Sequence, residues 1–353
     1  MEAKKGYRQH INKKKLTILL LILATIFVFF WAINAGASKI KPKDVILGIL
    51  GLGNPKANSI VRNIRIPRII SGILAGIGLS IAGCIMQNNL RNPLASPSTL
   101  GISNAAAFGA NVAIILLGAG SVASTSIGEV QINNPYIVTL CAICFSLLST
   151  LLIIGLSRLG YFSTQSIILA GVALSSLFSA GTMIIQYFAS DTTKVAAVVF
   201  WTFGDLARAS WREIGIMAVV VSVSLGYFLY RRWDYNAMDS GDDTAKSLGV
   251  EVEKIRLGGM FTASIITAVT VSFLGTIGFI GLICPQMTKK IIGNDKRYLI
   301  PASAIMGALI LLASDTVARV IISPQVLPVG AVTSFLGAPL FLYFLIRRFR
   351  PWH

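Results

Sequence analysis

The sequence predicts an all-α polytopic membrane protein with about ten transmembrane helices. Three observations carry that prediction. Apolar residues make up 54% of the 353-residue chain and charged residues only 13%, about half the ~25% charged share of a soluble domain. The mean hydropathy is +0.74. The apolar residues also form continuous runs of roughly twenty, the length that crosses a ~30 Å hydrocarbon core. Barrel strands would instead alternate apolar and polar positions over segments of about ten residues.

The runs fall at 16–36, 62–88, 99–118, 135–157, 164–189, 211–230, 256–274, 277–292, 299–322 and 327–346. The first follows Lys13–Lys15 and ends in Ala35-Gly36-Ala37, so it imitates a cleaved signal. Removing it would put the most basic later loops outside, so it is read as an anchor. The second opens on Arg65 and Arg68 and carries Gly72, Gly76, Ser80 and Gly83 at spacings of three or four. Such a stripe lets another backbone approach closely, and it suits either bundle packing or the wall of a path. Gly101, Gly109, Gly171 and Gly181 are open to the same two readings. The fourth run holds Cys141 and Cys144 one turn apart among Leu, Ala, Ile and Phe. Nothing there stabilises a thiolate, so these two, with Cys84 and Cys284, read as small apolar residues. A short helix is expected near 194–204, before the sixth run. The eighth run is short and contains Pro285, which marks a bent or partial crossing. The ninth contains Asp315 four residues before Arg319, a spacing that lets them pair on one helix face. Pairing relieves the ~2.5–3.5 kcal/mol cost of an isolated charge at a helix centre.

Lys and Arg bias orients the spans. With the N-terminal tail (Lys4, Lys5, Arg8, Lys13, Lys14, Lys15) in the cytoplasm, alternation places 20 of the 31 basic residues inside. Loops near Arg91 and Arg158 and both termini are then cytoplasmic. The chain divides into a basic tail, 1–15, and one membrane domain, 16–353, with a cytoplasmic loop at 231–256. In that loop Asp242 and Asp243 precede Thr244–Leu248 and then Gly249, the pattern of an acid-started short helix closed by glycine. A second short helix is expected through Val252–Ile255. Such a pair would form a compact dock for a partner; the plainer reading is a solvated linker.

Absences narrow the function. The only histidines, His10 and His353, lie in the tails, and no G-x-x-x-x-G-K-[ST] phosphate loop occurs. Apart from Asp315 the spans are nearly free of acids, whereas a proton-driven carrier needs ionisable groups near the midplane. A secondary transporter and a membrane-embedded enzyme are both disfavoured on these grounds. The residues describe a pathway powered by another subunit.

The chain resembles permeases of the FecCD type, the ABC importer family that moves iron–siderophores, haem and cobalamin. The matching stretches are I-R-I-P-R at 64–68, N-P-L-A-S-P at 92–97, L-G-I-S at 100–103, L-A-G-V-A-L at 169–174 and S-L-G-V at 247–250. G-F-I-G-L-I-C-P at 278–285, S-D-T-V-A-R at 314–319, L-P-V-G-A-V-T at 327–333 and G-A-P-L-F at 337–341 follow in family order. The resemblance implies a type II importer permease of ten helices in a bacterial plasma membrane, and a non-enzymatic role. It implies a second permease subunit (a copy or a paralogue), two cytoplasmic ATPases that use ATP and Mg²⁺, and an extracellular substrate-binding protein. No cofactor, metal or nucleic acid is expected on this chain. The expected cargo is a ferric siderophore, with haem or cobalamin as alternatives. The net charge of +17 also suits contact with anionic lipid.

Site roles carry over by motif. Arg65, Arg68 and Arg319 stand where the family receives carboxylates of the binding protein, or where they only fix helix ends. Asn92, Leu94, Thr164 and Gln165 stand at the cytoplasmic gate. Ala245, Lys246, Leu248 and Gly249 stand on the ATPase coupling segment. The chain departs from the family at Gln286, where a histidine is common; an amide there still hydrogen-bonds.

Overall fold

The computed structural model describes residues 2–36, 42–121, 131–132, 134–157, 164–322 and 325–349. The loop around Arg158 lies outside the described residues. Almost everything described is helical, because a backbone in hydrocarbon must satisfy its own N–H and C=O groups.

The helices in order are α1 (Glu2–Asn34), α2 (Pro42–Leu50), α3 (Pro55–Ile60), α4 (Ile66–Asn89), α5 (Ile102–Asn111), α6 (Pro135–Ser157), α7 (Thr164–Tyr187) and α8 (Thr192–Thr202). They continue with α9 (Trp211–Tyr230), α10 (Arg232–Asp239), α11 (Asp242–Ser247), α12 (Val252–Leu274), α13 (Ile280–Ile292), α14 (Lys296–Val320) and α15 (Val329–Phe349). A two-residue antiparallel pairing joins Gly120–Ser121 to Gln131–Ile132.

Among the described residues seven helices are long and apolar enough to cross a membrane, so the expected ten is not met as full spans. The other three expected runs are helical but shorter. Ile102–Leu116 and Val329–Tyr343 are apolar. Helix α13 has 13 residues, which reach about 20 Å and cannot cross ~30 Å alone. It starts after Phe279, whose φ of 67° is left-handed, and stops at Gly293, φ 87°. The expected helix at 194–204 is α8. Helix α1 begins at Glu2 and runs unbroken into the first span.

The loop at 231–256 holds a correction. The paired short helices are α10 and α11, whereas Val252–Ile255 is the first turn of the long α12. The glycine stop after α11 is as expected. Gly249 has φ 81°, its N–H donates to Lys246 O at 2.9 Å, and Val250 N–H donates to Ala245 O at 3.0 Å. These are the two bonds of a Schellman motif.

Helix α4 is the centre of the bundle and packs on α14, α12, α13 and α9. Its small-residue stripe makes that possible. A Cβ on Gly76 would strike the Gly307 carbonyl of α14, and one on Gly83 would strike the Gly281 carbonyl of α13. Between them Ser80 Oγ donates to Ser303 O at 2.6 Å, closing a hydroxyl that lipid could not satisfy. Gly109 abuts the Cys141 carbonyl, Gly171 the backbone of Leu100, and Gly181 the Phe108 ring. Of the two readings open to these glycines, the contacts are those of packing. Gly76→Leu should therefore lower stability by about 1–3 kcal/mol through overpacking, read as a lower thermal midpoint in detergent. Gly155→Leu, where nothing lies within 4 Å of an added Cβ, should leave the midpoint unchanged or raise it.

Candidate functional site

The expected residues gather at the two ends of α4, whose 24 residues separate them by about 36 Å. At its N-terminal end Arg65, Arg68 and Arg319 converge, all buried, at 4%, 8% and 6% exposure. Asp315 is fully buried between them. Arg68 Nε and Nη2 donate to Asp315 Oδ1 at 2.9 and 2.8 Å. Arg319 Nε lies 3.0 Å from Asp315 Oδ2, close enough for charge pairing although its N–H is not aimed at that oxygen. The expected pairing along α14 is thus present, and a third charge from α4 joins it. Asp205, in the turn before α9, stands 3.6 Å from Arg68 Nη2 and is about half exposed.

Donors of Arg65 and Arg319 also cap α1. The last carbonyls of a helix have no partner within it. Arg65 Nη1 donates to Ile33 O at 2.6 Å. Arg319 Nη1 donates to Ala32 O at 3.1 Å and to Ala35 O at 2.9 Å. Cations also suit the negative end of the helix dipole. The arginines therefore tie α1, α4 and α14 together and set the shape of this face from beneath it.

At the other end the chain leaves α4 through residues 90–101. Asn92 Oδ1 accepts from Leu94 N–H at 2.8 Å, which fixes the Asn-Pro turn, and Leu94 is exposed. Gln165 is exposed near the start of α7. Thr164 opens that helix, and its side chain lies outside the described residues. The loop and α7 meet about two turns further on, where Gly171 packs on Thr99 and Leu100. Gln286 does hydrogen-bond as an amide: its Nε2 donates to Gln87 Oε1 at 2.6 Å. Gln87 Nε2 in turn donates to Leu282 O at 3.0 Å. Both glutamines, with Arg91, Pro93, Lys289 and Lys296, line a cavity of about 480 Å³.

On the coupling segment Lys246, Leu248 and Gly249 are exposed, whereas the Ala245 methyl is fully buried and anchors α11 to the bundle. Leu248, 67% exposed, is an apolar tip on an otherwise charged surface. Asp242, at the start of α11, was not singled out as a site residue by the sequence. Arg256 Nη2 donates to its two oxygens at 3.0 and 2.9 Å, and Arg91 Nη2 to Oδ1 at 2.5 Å. Burial pushes the Asp242 carboxyl up; the Arg256 hydrogen bonds and charge, with Arg91, outweigh it and hold it below the ordinary carboxylate range. Asp295 at the start of α14 behaves alike: burial raises it, and hydrogen bonds from Arg297 and Asn236 bring it down to about 2. Among the described residues no cluster of three or more His, Cys, Asp or Glu could hold a metal.

Comparison with known proteins decides the assignment. The model of the FecCD transport family matches residues 22–347. The chain belongs to that family. It is an ABC importer permease, a multi-pass membrane protein of a class that works with ATPase and binding-protein partners and is not itself enzymatic. It is 50% identical to the MJ0087 protein of Methanocaldococcus jannaschii over 99% of both chains. It is 34% identical to the Fe(3+)-citrate import system permease protein YfmE of Bacillus subtilis, over 95% of this chain and 96% of that one. A solved inward-facing structure of a metal-chelate type ABC transporter superposes with a TM-score of 0.79 at 25% identity, covering 95% of this chain and 99% of that one.

The FecCD motifs found in the sequence led to the arginine cluster but not to the Arg68–Asp315 pair, because those residues are 247 positions apart. Breaking a buried pair costs about 3–5 kcal/mol, whereas replacing both partners by apolar residues can be neutral. Asp315→Ala in the FecCD chain should therefore lower the thermal midpoint sharply. Arg68→Met/Asp315→Leu should recover the part of the loss due to an unpaired Arg68, while Arg319 keeps the carbonyls of Ala32 and Ala35. A double variant no better than the single would contradict this account of the cluster.

Proposed function

We propose that this permease imports a ferric chelate, a ferric siderophore in particular, handed to it by an extracellular substrate-binding protein and driven by two cytoplasmic ATPases that use ATP and Mg²⁺. The observation that carries the cargo is the 34% identity to a ferric citrate permease along nearly the whole chain. The near absence of acids other than Asp315 from the spans supports an external energy source.

In this reading two permease subunits, copies or paralogues, enclose a water-lined path in the plasma membrane, and both termini are cytoplasmic. The α1–α4–α14 end faces outward and receives the binding protein. Arg65, Arg68 and Arg319 meet carboxylates of the binding protein there by exchanging internal partners, or shape the face from below. Asn92, Leu94, Thr164 and Gln165 form the inner gate. Lys246, Leu248 and Gly249 meet the ATPase, with Ala245 seating α11 beneath them. A path walled by many weak contacts suits a large chelate, since tight binding would slow release.

The test is uptake by cells lacking the gene and by cells restored with it, using radiolabelled ferric siderophores, ferric citrate, haem and cobalamin. Uptake of a ferric chelate should fall to background on deletion and return with the gene. Dependence of haem or cobalamin uptake alone would replace the cargo and keep the importer. Uptake that persists when ATP is depleted but collapses with a protonophore would contradict ATP-driven import.

A further inference from the structure

The turn that ends α4 is held by α11 through one carboxylate. Arg91 has a left-handed backbone, φ 45°, a region that non-glycine residues seldom occupy. Such a conformation persists where the surroundings over-determine it, and here they do. The Arg91 guanidinium donates to Asp242 Oδ1 at 2.5 Å and to Met238 O at 3.1 Å. Arg256, on α12, grips the same carboxylate, and its Nε donates to Asn89 O at 3.1 Å. Asn89 Nδ2 returns a bond to Arg256 O at 3.0 Å. Residues 89–91 are thereby bonded to α10, α11 and α12, and they lead directly into Asn92-Pro93-Leu94. On the far side Gln286 Nε2 reaches Pro93 O only weakly, at 3.4 Å. The charge-assisted bonds of residues 89–91 run to α10, α11 and α12, whereas the later part of the loop packs on α7.

These groups are partly exposed: the side chains of Arg91, Asp242 and Arg256 are 44%, 35% and 19% accessible. Exposed pairs add little to stability. Shared charge-assisted bonds nonetheless fix geometry, and geometry is what a moving part transmits. We propose that Asp242 is a positioning residue that couples α11 to the loop carrying Asn92 and Leu94, so that displacement of α11 moves the gate through the Arg91–Asp242–Arg256 triad. The mechanical half stands on the contacts alone; the consequence for transport rests on the proposed function.

Two measurements separate them. In a chain whose four native cysteines are replaced by alanine, spin labels at Leu94→Cys and Leu248→Cys should give one narrow distance distribution. Asp242→Asn and Arg91→Lys should each broaden it, and Asp242→Glu should restore it. An unchanged distribution in both variants overturns the coupling whatever the partners prove to be. In proteoliposomes with the ATPase and binding protein, Asp242→Asn should still bind the ATPase and hydrolyse ATP. Substrate moved per ATP should fall about tenfold, within the usual range of coupling between sites, with rescue by Asp242→Glu. Wild-type yield per ATP in Asp242→Asn, or loss of ATPase binding, overturns the relay. Wild-type chain that binds no ATPase refutes the importer reading instead, and the label distances still decide the triad.

Discussion

Helix α4 crosses α14 at backbone contact, and the rest of the bundle is arranged around that crossing. Lipid supplies no hydrophobic drive between helices, so close packing and internal hydrogen bonds must do the holding. Gly76 against Gly307 brings the two axes together, and Ser80 adds a hydroxyl bond to Ser303 O. At the end of the same seam Asp315 and Arg68 join the helices by charge. A bulky side chain at the first contact or an unpaired charge at the last would separate the same two helices.

The two ends of α4 then have different characters. At one end buried arginines bind α1, α4 and α14 into a rigid cap, because every guanidinium there is engaged by a carboxylate or by carbonyls that end α1. At the other end a partly exposed carboxylate on the short helix α11 is held by an arginine of the loop after α4 and another of α12. If the proposed import is right, a fixed outer end and a shifting inner edge would suit alternating access.

Much of this was readable in the sequence, for stated reasons. Continuous apolar runs announced the helices, and Asp315 four residues before Arg319 announced their pairing. Gly249 announced the end of α11. One short helix was misread. Val252–Ile255 has the composition of a short helix, and only the absence of any stop signal before the apolar run at 256 shows that it opens α12. The 277–292 run was rightly read as a partial crossing; left-handed Phe279 and Gly293 bound it to 13 residues. The Arg68–Asp315 and Arg91–Asp242 pairs were invisible because no periodicity relates residues that far apart. The small-residue stripe of α4 was visible, but which helix it met was not.

The most direct test of this division between a fixed and a moving end is hydrogen–deuterium exchange on the assembled transporter, with and without ATP. Exchange in 89–94 and 240–250 should change together, while 65–72 and 312–319 keep their protection. Changes concentrated at the arginine end, or at 240–250 without 89–94, would contradict the account.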